Sequence, residues 1–137
     1  MSVYRVIYTS RPYGFDSGML NGILMDARRA NARDEITGAL ICREDIYIQW
    51  LEGPEPAVKA AIDRIRRDDR HLEVKMHVEK GGCERMFGEW SMLHDPAVTW
   101  IWPQAAVASG AVEKATADEV EHFFKQLRDK HETPSAV

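Results

Sequence analysis

The sequence predicts an α+β domain, a ferredoxin-like sandwich of order β-α-β-β-α-β-β, with one mixed sheet, two helices on one of its faces and further helices at the C-terminus. Three observations predict it. Strand-like and helix-like periodicities follow one another in that order, with no internal repeat or low-complexity tract between them. The chain has 137 residues, enough for one core and short for two. Hydrophobic residues make up 45% and charged residues 29%, a globular balance that excludes a disordered or fibrous chain.

Each element has its own local reason. Residues 3–9 are β-branched and aromatic with partial alternation, and Pro12 and Gly14 break the run, giving a first strand that ends in a loop. From Ser17 the apolar residues Leu20, Ile23, Leu24 and Ala27 recur at helical spacing, with Asp16 or Ser17 as cap, so a helix is expected to about Asn31. Residues 36–42 and 46–51 are two apolar runs split by Arg43-Glu44-Asp45, the pattern of a hairpin. Pro54, Glu55 and Pro56 open a second helix, which Val58, Ala61, Ile62 and Ile65 continue to about Arg67. Residues 73–79 alternate as a fourth strand, and residues 90–94 form a fifth after a loop at Gly81-Gly82.

After Pro96 the chain changes character. Trp100-Ile101-Trp102-Pro103 leads into an alanine-rich stretch over residues 105–111. Thr116 with Glu119 is a capping box, and Val120, Phe123, Phe124 and Leu127 form the stripe of the helix it starts. The expected organisation is a unit over residues 1–95 with a helical appendage over 96–137, which covers the open face of the sheet or meets another subunit. Residues 131–137 read as frayed.

Charge and composition exclude several functions. Eighteen basic against twenty-two acidic residues give a net charge of −4 with both signs interleaved, which argues against a general nucleic-acid surface. The longest apolar runs fall well short of a membrane span, and the N-terminus lacks the apolar stretch of a secretion signal, so a cytoplasmic protein is expected. Cys42 and Cys83 form no CxxC pair and have no histidine at metal-ligand spacing, so free thiols and no metal site are expected.

Three polar residues sit where apolar ones are expected. Asn31 lies on the apolar stripe at the end of the first helix, a position that also suits a C-cap. Gln49 lies in a strand whose two faces both read as apolar, and a glutamine there commonly bonds to backbone. Tyr8 shares a face with Tyr4 and Val6, which would bring its hydroxyl to a sheet end; core tyrosines do the same. Neutral hydrogen-bonding groups among aliphatic side chains suit a flat heteroaromatic ring, and with no activated nucleophile or carboxylate pair in view they suit hydrolysis poorly.

Five segments carry a resemblance: Tyr4-Arg5-Val6-Ile7-Tyr8-Thr9-Ser10, Asn31-Ala32-Arg33-Asp34-Glu35-Ile36-Thr37-Gly38-Ala39-Leu40, Gln49-Trp50-Leu51-Glu52-Gly53-Pro54, Asp68-Asp69-Arg70-His71 and Arg85-Met86-Phe87-Gly88-Glu89-Trp90-Ser91-Met92. In order and spacing they resemble BLUF domains, the flavin-binding blue-light sensors, over roughly residues 2–94. The resemblance implies a sandwich holding FAD between two helices. It implies that Tyr8 is the photochemical electron and proton donor, and that Gln49 bridges the phenol and the flavin. Asn31 would hold the pyrimidine side of the ring, Ile23 and Ile65 would pack on its faces, and Arg64 would approach the ribityl or phosphate part. Trp90 and Met92 would relay the state of the glutamine.

One departure stands at Ala30, where the family often carries Asn or His; altered affinity or dark recovery is expected there. Arg28 and Arg29 would either attract the pyrophosphate or lie on a solvated helix face. Nothing after Pro96 is long enough for a catalytic effector, so a photoreceptor that is not itself an enzyme is expected, with a downstream protein partner; Trp100, Trp102, Phe123 and Phe124 of the C-terminal helices are where that contact or a homo-oligomer contact is expected. Two alternatives stay open: a flavin- or ligand-binding interaction module without photochemistry, and a small hydrolase of the acylphosphatase type, for which Arg11-Pro12-Tyr13-Gly14 is a faint echo of a phosphate cradle.

Overall fold

The computed structural model describes residues 2–12, 17–43, 45–68, 71–88, 92–95 and 101–132. Its elements follow the predicted order: β1 (Val3–Pro12), α1 (Ser17–Asp34), β2 (Thr37–Arg43), β3 (Ile46–Gly53), α2 (Glu55–Arg66), β4 (His71–Cys83), β5 (Leu93–Asp95), α3 (Gln104–Ala108) and α4 (Ala117–Glu132). The sheet order is β4-β1-β3-β2-β5. The first four strands pair antiparallel and β5 runs parallel to β2, so the sheet is mixed.

All eight residues of β3 are buried, because this strand is covered on both sides. Alternation sends Tyr47 and Leu51 to one face, where they pack with Val6, Tyr8, Leu40, Ile23 and Leu24 of α1 and Val58, Ala61 and Ile62 of α2. It sends Ile46, Ile48 and Trp50 to the other, where Ile101, Trp102, Val120, Phe123, Phe124 and Leu127 cover them. The apolar stripe of α4 is therefore spent on the sheet. Arg5 ties this layer down: its guanidinium lies 4.3 Å from the centre of the Trp50 ring and pairs with Glu121 of α4 at 3.1 Å.

Close approach of backbones fixes Gly38, where a Cβ would sit 1.9 Å from the carbonyl oxygen of Trp50. The capping box forms in part. The Glu119 amide donates to Thr116 Oγ1 at 3.1 Å, while the Glu119 carboxylate accepts the Trp102 indole N–H at 3.0 Å and ties the start of α4 to the segment before it.

Several boundaries differ from the sequence expectation: β1 runs on to Pro12, the expected break, because β4 pairs beside it as far as His71. Helix α1 continues past Asn31 to Asp34, so Asn31 is not the C-cap. The helix ends in a Schellman motif, with Glu35 in the left-handed region (φ 61°) and the Ile36 amide donating back to the Asn31 carbonyl at 2.9 Å. Strand β4 starts at His71 and runs through Gly81-Gly82, because β1 continues beside it as far as the pair Val3 and Cys83. A positive φ at Gly82 absorbs the irregularity there. Strand β5 is Leu93–Asp95; residues 90 and 91 of the expected strand, Trp90 among them, and Trp100 lie outside the described residues.

Candidate functional site

The register of β1 against β3 places Tyr8 directly opposite Gln49, and both side chains face the layer of α1 and α2. Tyr8 is fully buried and Gln49 is 3% exposed. The phenol O–H donates to Gln49 Oε1, and Gln49 Nε2 contacts Met92 Sδ at 3.5 Å. One amide thus joins a strong donor to a weak sulfur acceptor. Burial pushes the Tyr8 pKa well above the ordinary tyrosine value, and the charges of Asp68 and Tyr47 add to the effect. The phenol is consequently neutral and able to donate throughout the physiological range.

In front of Gln49 lies a cavity of about 330 Å³ between α1 and α2. That volume is at the lower end of the range of small-molecule sites. Helix α1 contributes Ile23, Ala27, Ala30, Asn31 and Arg33; α2 contributes Ala61, Arg64 and Ile65; β3 contributes Gln49 and Leu51. Alanines on both helices leave a slot, and aliphatic side chains line its walls. Asn31, 3% exposed, supplies a second buried amide, and Arg64, which reaches Asp34 at 3.7 Å, is half-exposed at the rim. Asp26 and Asp68 also line the cavity, and Arg33 and Arg64 both pair with Asp34. Apolar walls and neutral donors and acceptors along one edge are what a flat heteroaromatic ring requires, and the two arginines at the mouth can meet a phosphate-bearing tail, so the residues present fit a flavin.

Residues 3–93 match the family model described as sensors of blue-light using FAD. The chain belongs to the BLUF family. Photoactivated adenylate cyclase subunit beta of Euglena gracilis is 38% identical over 74 residues, which are 53% of this chain and 9% of that protein. The matched stretch therefore spans less than a tenth of the length of that curated relative. The solved structure of the photo-activated state of BlsA superposes with a TM-score of 0.76 at 25% identity, covering 93% of this chain and 95% of the other. BlrP1 with FMN and cyclic diGMP shares the fold, with a TM-score of 0.63 at 24% identity over 82% of this chain and 29% of the other.

Within this BLUF fold, Ile23, Asn31, Gln49, Arg64 and Ile65 line one cavity, together with Ala30. Tyr8 and Met92 touch Gln49. Trp90 lies outside the described residues. Gln49 bonds to side chains, not to the backbone partner that its type suggests. Arg28 lies exposed on α1, and its Nε and Nη2 donate to the Met92 carbonyl at 3.2 and 3.1 Å, a contact that its local pattern does not announce. Arg11 pairs with Glu73 at 3.4 Å and lines a different cavity, apart from the Tyr8 and Gln49 pair.

Sequence reasoning gave no role to two residues the structure puts to use. His71 lines the cavity, bonds to Ser10 Oγ through Nδ1 at 2.9 Å, and packs edge-on to Tyr47 and Tyr8. Its signal was hidden because the strand was expected to start two residues later. Glu52 is fully buried, and its carboxylate accepts from Thr37 Oγ1, Trp50 Nε1 and the amides of Met86 and Phe87, all at 2.8 to 3.0 Å. An acid closing an apolar strand was the available signal.

Proposed function

We propose that this chain is a blue-light photoreceptor that holds FAD between α1 and α2 and passes its state to another protein through β5 and the C-terminal helices. The observation that carries the reading is the buried chain Tyr8, Gln49, Met92 beside a slot with apolar walls. Bound FAD supplies a photoexcitable oxidant. Asn31 and Gln49 hold the polar edge of the ring, Ile23 and Ile65 flank it, Arg64 meets the tail, and Met92 and Trp90 read the amide. Tyr8, protonated and in contact with Gln49, gives up an electron and passes its proton along its bond to the amide. When both return to the phenol, Gln49 is left rotated or tautomerised. The two states differ by a few hydrogen bonds, so the output is a population shift of about 1–3 kcal/mol in the neighbouring elements.

In this reading residues 1–95 are the sensor and residues 96–137 its cap and contact surface, with no catalysis by the chain itself. The partner is a protein, and the chain associates with copies of itself. Absorption of dark-purified protein before and after blue light tests the core of the reading. The expected result is a yellow protein with a small reversible red shift that Tyr8→Phe abolishes, and extraction of the pigment identifies FAD or FMN. Colourless protein overturns flavin binding, and a yellow protein without the shift supports the interaction-module alternative.

A further inference from the structure

Met92 is held at two places. Its sulfur meets the Gln49 amide, and its carbonyl oxygen receives both Nε and Nη2 of Arg28, one edge of a guanidinium converging on one acceptor. Arg28 belongs to α1 and Met92 immediately precedes β5, so this contact crosses from a helix of the slot to the edge of the sheet. Six and five residues upstream of Met92, the backbone amides of Met86 and Phe87 donate to the Glu52 carboxylate. Glu52 has no exposure and four donors around its two oxygens, which makes it a fixed point. Met86 and Phe87 are thus held by their N–H groups, and Met92 by its carbonyl.

We propose that Arg28 is a positioning residue for the light switch: it clamps the Met92 backbone so that the sulfur stays against the Gln49 amide. The inference rests on the photoreceptor reading above. Its chemistry is local. The amide leaves its contact with Met92 whenever it turns over, and a clamped partner makes that motion slow. A released Met92 follows the amide and lowers the barrier in both directions. Arg28 is exposed on α1 and acts through Met92, so it can be changed without opening the core.

The test compares the full chain with Arg28→Ala, Arg28→Lys and Arg29→Ala, reading the size of the red shift, the rate of thermal return in the dark and the melting temperature. Arg29 is the next residue on α1 and is exposed, and it serves as the charge control. The clamp predicts an unchanged red shift in all four proteins. It predicts that Arg28→Ala, which removes both donors to the Met92 carbonyl, returns about tenfold faster. Arg28→Lys, with one donor nitrogen in place of two, should fall between, and Arg29→Ala should match the wild type. A return rate of Arg28→Ala within twofold of the wild type, with or without a fall in melting temperature, overturns the clamp while leaving the photoreceptor reading intact. Equal acceleration in Arg29→Ala also overturns it, because net charge then explains the effect. A wild-type protein without a reversible shift overturns the photoreceptor reading, and the clamp with it.

Discussion

Tyr8 keeps its proton because its ring lies in a fully buried layer, and the folded chain therefore holds a proton that the unfolded chain releases near pH 10. Above that pH the folded state binds more protons than the unfolded state, so the contribution of Tyr8 makes stability fall as pH rises. Urea unfolding at pH 9, 10 and 11 should show the wild type losing up to about 1.4 kcal/mol per pH unit more than Tyr8→Phe above pH 10, with the two curves parallel below it. Tyr8, Asn31 and Gln49 were each legible in the sequence as polar groups on apolar faces. Their roles were not, because a polar anomaly names no partner. Arg28 shows the same gap more sharply: a helix arginine has the same local pattern whether it meets a phosphate, water or the Met92 carbonyl.

At the scale of elements, period and punctuation carried the prediction. Strand β3 shows why, since residues 46–51 gave one apolar set on each face and the structure covers both. Boundaries failed where a neighbouring element decided them: β4 extends through two glycines because β1 remains available for pairing. The end of α1 stores a small strain. Glu35 takes the left-handed conformation at a position where glycine carries no Cβ penalty, while its carbonyl accepts from Arg85 Nη2 at 2.8 Å. Glu35→Gly preserves that carbonyl and the Ile36 bond, and thermal denaturation should report a gain of about 1 kcal/mol. A loss of stability would mean that the Glu35 side chain contributes more than its backbone strain costs.

Across the whole molecule the sheet belongs to two layers at once. The site lies on one face, and Phe124, fully buried against Trp50 and Phe87 at centroid distances of 5.4 and 6.1 Å, anchors the other. Phe124→Ala should cost about 3 kcal/mol and lower the melting temperature by about 10 °C. Because β3 serves both faces, visible flavin signal and tryptophan fluorescence should report one transition at the same temperature. Separate transitions would show that the α4 layer melts independently of the sensor core.

The sequence by itself determined the order of elements and marked Tyr8, Asn31 and Gln49 as polar groups on apolar faces, because periodicity and turn chemistry are properties of neighbouring residues. The tertiary structure alone decided which of those residues meet. Tyr8 and Gln49 are 41 positions apart and Arg28 and Met92 are 64 apart, so their contacts follow from strand register and from the packing of α1 on the sheet. No local pattern encodes such a pairing. It appears when loop closure and burial of both sheet faces fix one arrangement of the chain.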